Sequence, residues 1–175
     1  MRSEIEFDAF GKRYLTKQFD AVSAMQFVNR STDMTPLEIL ALTAVLVDGR
    51  WVALNSRDTI NEHVRDVTGM MNPKHTLTGV CNLVSDYSFG FLRTWEGAKI
   101  PSRFTSDVEG VVSAALDPVL SQLIQDGAAT LRELEEYYSL QDAFTMFDVI
   151  VVKGINKALG MEAAEKESKV KAKRR

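Results

Sequence analysis

Cysteine occurs once, at Cys81, and histidine only at His63 and His75. A single thiol excludes a disulfide within these 175 residues and fits a reducing compartment. Set among Leu77, Val80 and Val84, Cys81 reads as a small buried hydrophobe. Two scattered histidines offer little for metal ligation or nucleophile activation. No phosphate loop, dinucleotide fingerprint, nucleophile elbow or zinc spacing is present, so no cofactor is expected. The longest apolar runs, Leu37 to Val47 and Phe147 to Val152, are too short to span a bilayer. Nor does an apolar stretch follow Met1-Arg2, so neither a secretory leader nor a membrane association is expected.

Hydrophobic residues make up 45% and charged residues 26%, which suits one domain with its own core rather than a disordered chain. The net charge of -3 disfavours a dedicated nucleic-acid binder. That charge is unevenly spread. Lys169, Lys171, Lys173, Arg174 and Arg175 crowd the last seven residues, and without them the net charge falls from -3 to -8. These five are candidate contacts for phosphate or an acidic partner. No aromatic residue interleaves with them to stack a base.

The opening residues alternate charge with hydrophobe. Glu4, Glu6 and Asp8 share one strand face, Ile5 and Phe7 the other, and Gly11 can supply the positive φ of a two-residue turn before Arg13 to Phe19 returns. This predicts an N-terminal β-hairpin over residues 1–19. An isolated hairpin is marginal in water. It is therefore expected to dock on a neighbouring copy or another protein, and its deletion to spare most of the helical signal.

Helical signals dominate the rest. Asp20 caps a first helix, and Thr35-Pro36-Leu37-Glu38 is a capping box with proline at the first position. The apolar run Leu37 to Val47 then predicts a central buried helix ended by Asp48-Gly49. Ser56 and Asp58 open a helix carrying Ile60, Val64 and Val67, and Asn72-Pro73 opens another along Leu77, Val80, Val84 and Tyr87. A further helix is expected from Ser106 to Leu116, restarting at Asp117-Pro118. Thr130-Leu131-Arg132-Glu133 opens a short acidic helix reaching Tyr137 and Tyr138. Ser139 opens the last helix, which runs to about Gly160. The fold class is thus mainly α: a small N-terminal β-hairpin (1–19), a helical domain (20–160) and a basic tail (161–175).

Candidate chemistry is sparse. Glu133, Glu135, Glu136 and Asp142 are acidic neighbours, but on successive faces of one short helix they read as a solvated surface. His63 beside Glu62, with Asp66 three residues on, reads as a surface histidine among acids. The best candidate partner surface is Phe89, Phe91, Trp95, Ile100 and Phe104, aromatic and apolar groups gathered at a helix end and loop. Aromatics of this kind anchor interfaces as well as cores. Tyr137 and Tyr138 cannot be equally buried on a helix, so one of them is a candidate contact.

Three segments resemble the tail assembly chaperones of long-tailed bacteriophages. Gly11-Lys12-Arg13-Tyr14-Leu15-Thr16-Lys17-Gln18-Phe19-Asp20-Ala21 is similar to their "Gly, basic, Tyr, strand, Phe, Ala" opening. Thr130-Leu131-Arg132-Glu133-Leu134 resembles a "Thr-Leu-x-Glu-Leu" element, and Ser139 to Asn156 their final helix. Together they cover about 50 residues. The resemblance implies a non-enzymatic protein of the host cytoplasm that holds the tape-measure protein soluble during tail assembly. A related role is a tail-tip, tube-contacting or baseplate subunit that stays in the virion tail, with a second copy of the chain as another expected partner. Two alternatives remain: a nucleic-acid adaptor using the basic tail, and a hydrolase using Glu133, Glu136 or His63.

Overall fold

A computed structural model describes residues 2–104 and 113–173. The helix expected from Ser106 falls largely outside these residues. Residues 113–117 are irregular before the restart, where Asp117 caps a helix with Pro118 in its first turn. The chain divides into two compact units. The first comprises residues 1–95 and 131–142, the second residues 96–130 and 143–175.

The first unit is built on a four-stranded antiparallel sheet of order β1-β2-β3-β4: Glu4–Ala9, Lys12–Lys17, Thr43–Val47 and Arg50–Ala53. This corrects the expected fold class. Helix makes up 56% and strand 14% of the described residues, but the β part is no appended hairpin. It is half of a sheet whose other half comes from a segment read as helix. Thr35 and Glu38 do form the capping box, yet the helix they open, α2, covers only Pro36–Ile39. Thr43, Val45 and Val47 are β-branched residues at a spacing of two, which suits a pleated strand. Asp48 and Gly49 take φ of 48° and 78°, the left-handed pair of a type I′ hairpin turn. The first hairpin turns the same way through Phe10 and Gly11, at 52° and 75°.

One row across the sheet sets its buried face. Phe7 lies opposite Tyr14, Tyr14 opposite Val45, and Val45 opposite Val52. The Phe7 and Tyr14 rings stack with centroids 5.3 Å apart. Next along, the buried Thr16 and Thr43 hydroxyls share a hydrogen bond of 2.9 Å. Leu40, Leu54, Ile60, Val64, Val80, Cys81 and Val84 close over this face to form the core. They come from the connections and from helices α3 (Arg57–His63) and α4 (Pro73–Phe89). The opposite face carries the outward charges of β1. Glu4 pairs with Lys17 at 3.4 Å and Asp8 with Arg13 at 3.2 Å, each with its cross-strand neighbour. Such exposed pairs contribute about 0–1 kcal/mol each.

Helix α4 locks the hairpin tip. A Cβ placed on Gly79 would sit 2.5 Å from Cζ of Phe10, so the ring lies directly on the helix backbone. Phe10 holds a positive φ, uncommon for a bulky residue, and its carbonyl accepts from the Val67 amide at 3.1 Å. Gly79→Ala should therefore destabilise the first unit by about 1–3 kcal/mol through overpacking, despite alanine's helix advantage of about 1 kcal/mol. In a Phe10→Ala background the same change should become stabilising. A thermal or urea unfolding cycle over the four chains checks this; the same sign in both backgrounds would contradict the packing.

Helix α1 (Ala21–Asn29) starts at Asp20, whose carboxylate accepts from the Ser23 amide at 2.7 Å. The segment after α6 (Leu131–Glu136) is tied to the chain's beginning. Arg2 and Ala21 donate their amides to the Tyr137 and Tyr138 carbonyls at 2.8 and 2.9 Å. Tyr137 and Tyr138 thus lie beyond the end of α6, not on it.

In the second unit, α5 (Pro118–Gln125) buries Leu120 and Leu123 and is followed by Gly127 at φ 69°. Helix α7 (Leu140–Lys173) does not stop near Gly160 as expected. It passes through Gly154 and Gly160, each costing about 1 kcal/mol relative to alanine. Glu165 to Lys169 and Glu167 to Lys171 ion pairs support its far end.

Candidate interaction groove

Helix α3 is shorter than expected. It ends at His63, and Val64 takes φ -88° and ψ 78°. The next residues turn around the Asp66 carboxylate, which accepts from the Thr68 hydroxyl at 2.5 Å and from the Thr68, Met70 and Met71 amides at 3.3, 2.9 and 3.0 Å. These hydrogen bonds, the Thr68 hydroxyl foremost, hold the carboxyl below its ordinary range. Val67 therefore leaves the helical face and packs at Gly11 of the hairpin tip. The ordered loop presents Met70, 83% exposed, and Met71, 43% exposed.

On either side of this loop, α3 and α4 leave a hollow of about 510 Å³ lined by Ile60, Asn61, Val64, Arg65, Pro73, Lys74 and Leu77. A second hollow of about 350 Å³ shares Ile60, Asn61 and Leu77 and extends to Arg57 and to Thr35, Pro36 and Leu37 at the start of α2. The two form one groove with an apolar floor. Ile60 and Val64 also belong to the core beneath, so the floor is continuous with it. The charged residues lining it, Arg57, Arg65 and Lys74, are all cations on a chain of net charge -3. Arg65 is held across the turn by its Nε, which donates to the Asn61 carbonyl at 2.6 Å.

This groove was not singled out from the sequence. Its signal was there in the apolar spacing of Ile60, Val64 and Leu77 with cations between, but nothing local says that the two helices flank one another.

The sequence candidates fall elsewhere. Phe89, half-buried, stacks on Phe19 at 5.8 Å, and Phe19 meets Phe27 edge-on at 5.4 Å. Phe91 is half-buried and Trp95 37% exposed, all within the first unit. Ile100, 49% exposed, and Phe104 belong to the second. There the Arg103 guanidinium covers the Phe104 ring at 4.7 Å and pairs with Glu162 at 3.0 Å. Tyr137 is 49% exposed and Tyr138 half-buried, their rings edge to face at 5.1 Å.

Lys169 and Lys171 are each drawn to a glutamate of their own helix. The Lys173 side chain, Arg174 and Arg175 lie outside the described residues. Of the acidic candidates, Glu136 pairs with Arg132 at 3.2 Å, and Asp142 forms a capping box with Ser139 at the start of α7. His63 Nε2 is 3.9 Å from Glu62, while Asp66 is engaged in its loop.

Among the described residues, no group of three or more His, Cys, Asp or Glu side chains is placed to hold a metal ion. No helix among them is long and apolar enough to cross a membrane. Compared with family models, with curated proteins and with solved structures, the chain matches none.

Proposed function

We propose that this chain is a non-enzymatic binding protein of phage tail assembly, a chaperone that engages the tape-measure protein. The observation that carries the binding reading is the groove between α3 and α4. An apolar floor continuous with the core and a cationic rim suit the capture of another chain. The phage assignment rests on the three resembling segments. The first of them folds as a turn, strand β2 and the capped start of α1, the strand-into-helix opening that the resemblance implies. The net charge of -3 weighs against the nucleic-acid alternative.

Co-expression with the tape-measure protein of the same phage tests the proposal. A soluble complex that co-elutes on size exclusion is expected. Unchanged solubility of the tape-measure protein with no complex would reject the chaperone role. Mass spectrometry of purified virions separates the structural alternative, since a chaperone departs and a baseplate or tail-tip subunit remains.

A further inference from the structure

We propose that the groove between α3 and α4 takes an acidic amphipathic helix of a partner protein, with Arg57, Arg65 and Lys74 reading its carboxylates and Ile60 and Leu77 meeting its apolar side. The inference rests on the reading of this chain as a binding protein and adds the chemistry of what is bound.

Charge complementarity selects the partner. The lining charges are all positive, while the chain as a whole is negative. A basic or neutral segment would leave those cations facing like charge or buried without partners, which is costly. The floor selects the occupant's form. Ile60 and Leu77 present side chains of helices, not an open strand edge. An extended peptide would find no backbone ladder there, whereas a helix satisfies its own backbone and lays an apolar stripe in the groove. Nucleic acid fits less well, because no aromatic side chain lines either hollow to stack a base.

The test uses the full chain and a fluorescein-labelled designed peptide of about 16 residues, with leucine at helical i, i+3, i+4, i+7 spacing and glutamate elsewhere. A peptide with lysine for glutamate and a single-stranded oligonucleotide serve as comparison probes. Fluorescence anisotropy should show binding of the acidic peptide alone. R57E/K74E should weaken it at least about tenfold, and higher salt should weaken it in the unchanged chain. Both positions are exposed, and a retained thermal transition certifies the variant. The Ile60 and Leu77 methyl resonances should shift on titration. The inference is overturned if the acidic peptide fails to bind, if R57E/K74E binds it equally, or if the lysine peptide or the oligonucleotide binds more tightly. Because the probe is no phage protein, a positive result stands whatever the tape-measure co-expression gives. A negative one leaves that protein free to dock on another surface.

Discussion

A chain beginning at Asp20 is expected to lose the cooperative unfolding transition of its first unit altogether. Strand β2 is interior to the sheet, bonded to β1 on one side and β3 on the other. Removing residues 1–19 takes away Tyr14, Thr16, Gln18 and Phe19, all buried, and opens the face of Val45. The remaining β3-β4 pair is a lone hairpin, marginal in water even before its core is exposed. Helices α3 and α4 pack on that core, so their signal should fall too. Far-UV circular dichroism with a thermal melt checks this. A truncated chain with near-native helicity and a cooperative transition would show that the first two strands are an appendage after all, as the sequence reading held.

Tyr14→Ala should cost about 3–5 kcal/mol, the range for deleting a buried aromatic side chain, because Tyr14 is fully buried at the centre of the row from Phe7 to Val52. Tyr14→Phe should be neutral or stabilising by up to about 1 kcal/mol, since the buried hydroxyl has no hydrogen-bond partner among the described residues and its removal strands none of them. The pair of variants separates packing from polarity. Burial also pushes Tyr14 up to about 12. The unfolded chain's tyrosine titrates near 10, so the unfolded state loses its proton first as pH rises. The stability that Tyr14 contributes is therefore complete below about pH 10 and is lost as pH climbs through 12. Tyr14→Phe should remove that part of the alkaline loss. The share from Cys81, which burial pushes up to about 11, should remain. Urea unfolding at neutral pH and between pH 9 and 12 measures both effects; equal slopes for the two chains would contradict the burial of the hydroxyl.

Local chemistry was the readable part of the sequence. The Thr35–Glu38 box, the Asp20 and Asn72 caps, the proline restart at Asp117-Pro118 and the Gly11 turn all stand where their residues place them. The error lay at Leu37 to Val47. A continuous apolar run does not by itself distinguish a buried helix from a buried strand. The deciding signal was Asp48-Gly49, a hairpin dipeptide with two left-handed residues, which also suits a helix end. Once it is read as a turn, β3 and β4 follow, and the first hairpin gains neighbours. The groove was less legible because it depends on two helices joined through the Asp66 turn, whose geometry arises from hydrogen bonds that no periodicity encodes. Among the aromatic candidates, Phe89 stacks on Phe19 and Phe104 lies under Arg103, contacts between residues distant in sequence or set by loop geometry that no local pattern encodes.

We propose that this chain binds a tail-assembly client through the cationic groove of its first unit. The most direct measurement is the soluble fraction of the tape-measure protein co-expressed with the unchanged chain and, separately, with R57E/K74E. The account predicts a soluble complex with the first and loss of most of it with the second, at equal thermal stability of the two chains. A tape-measure protein equally soluble with both, or with neither, would contradict it.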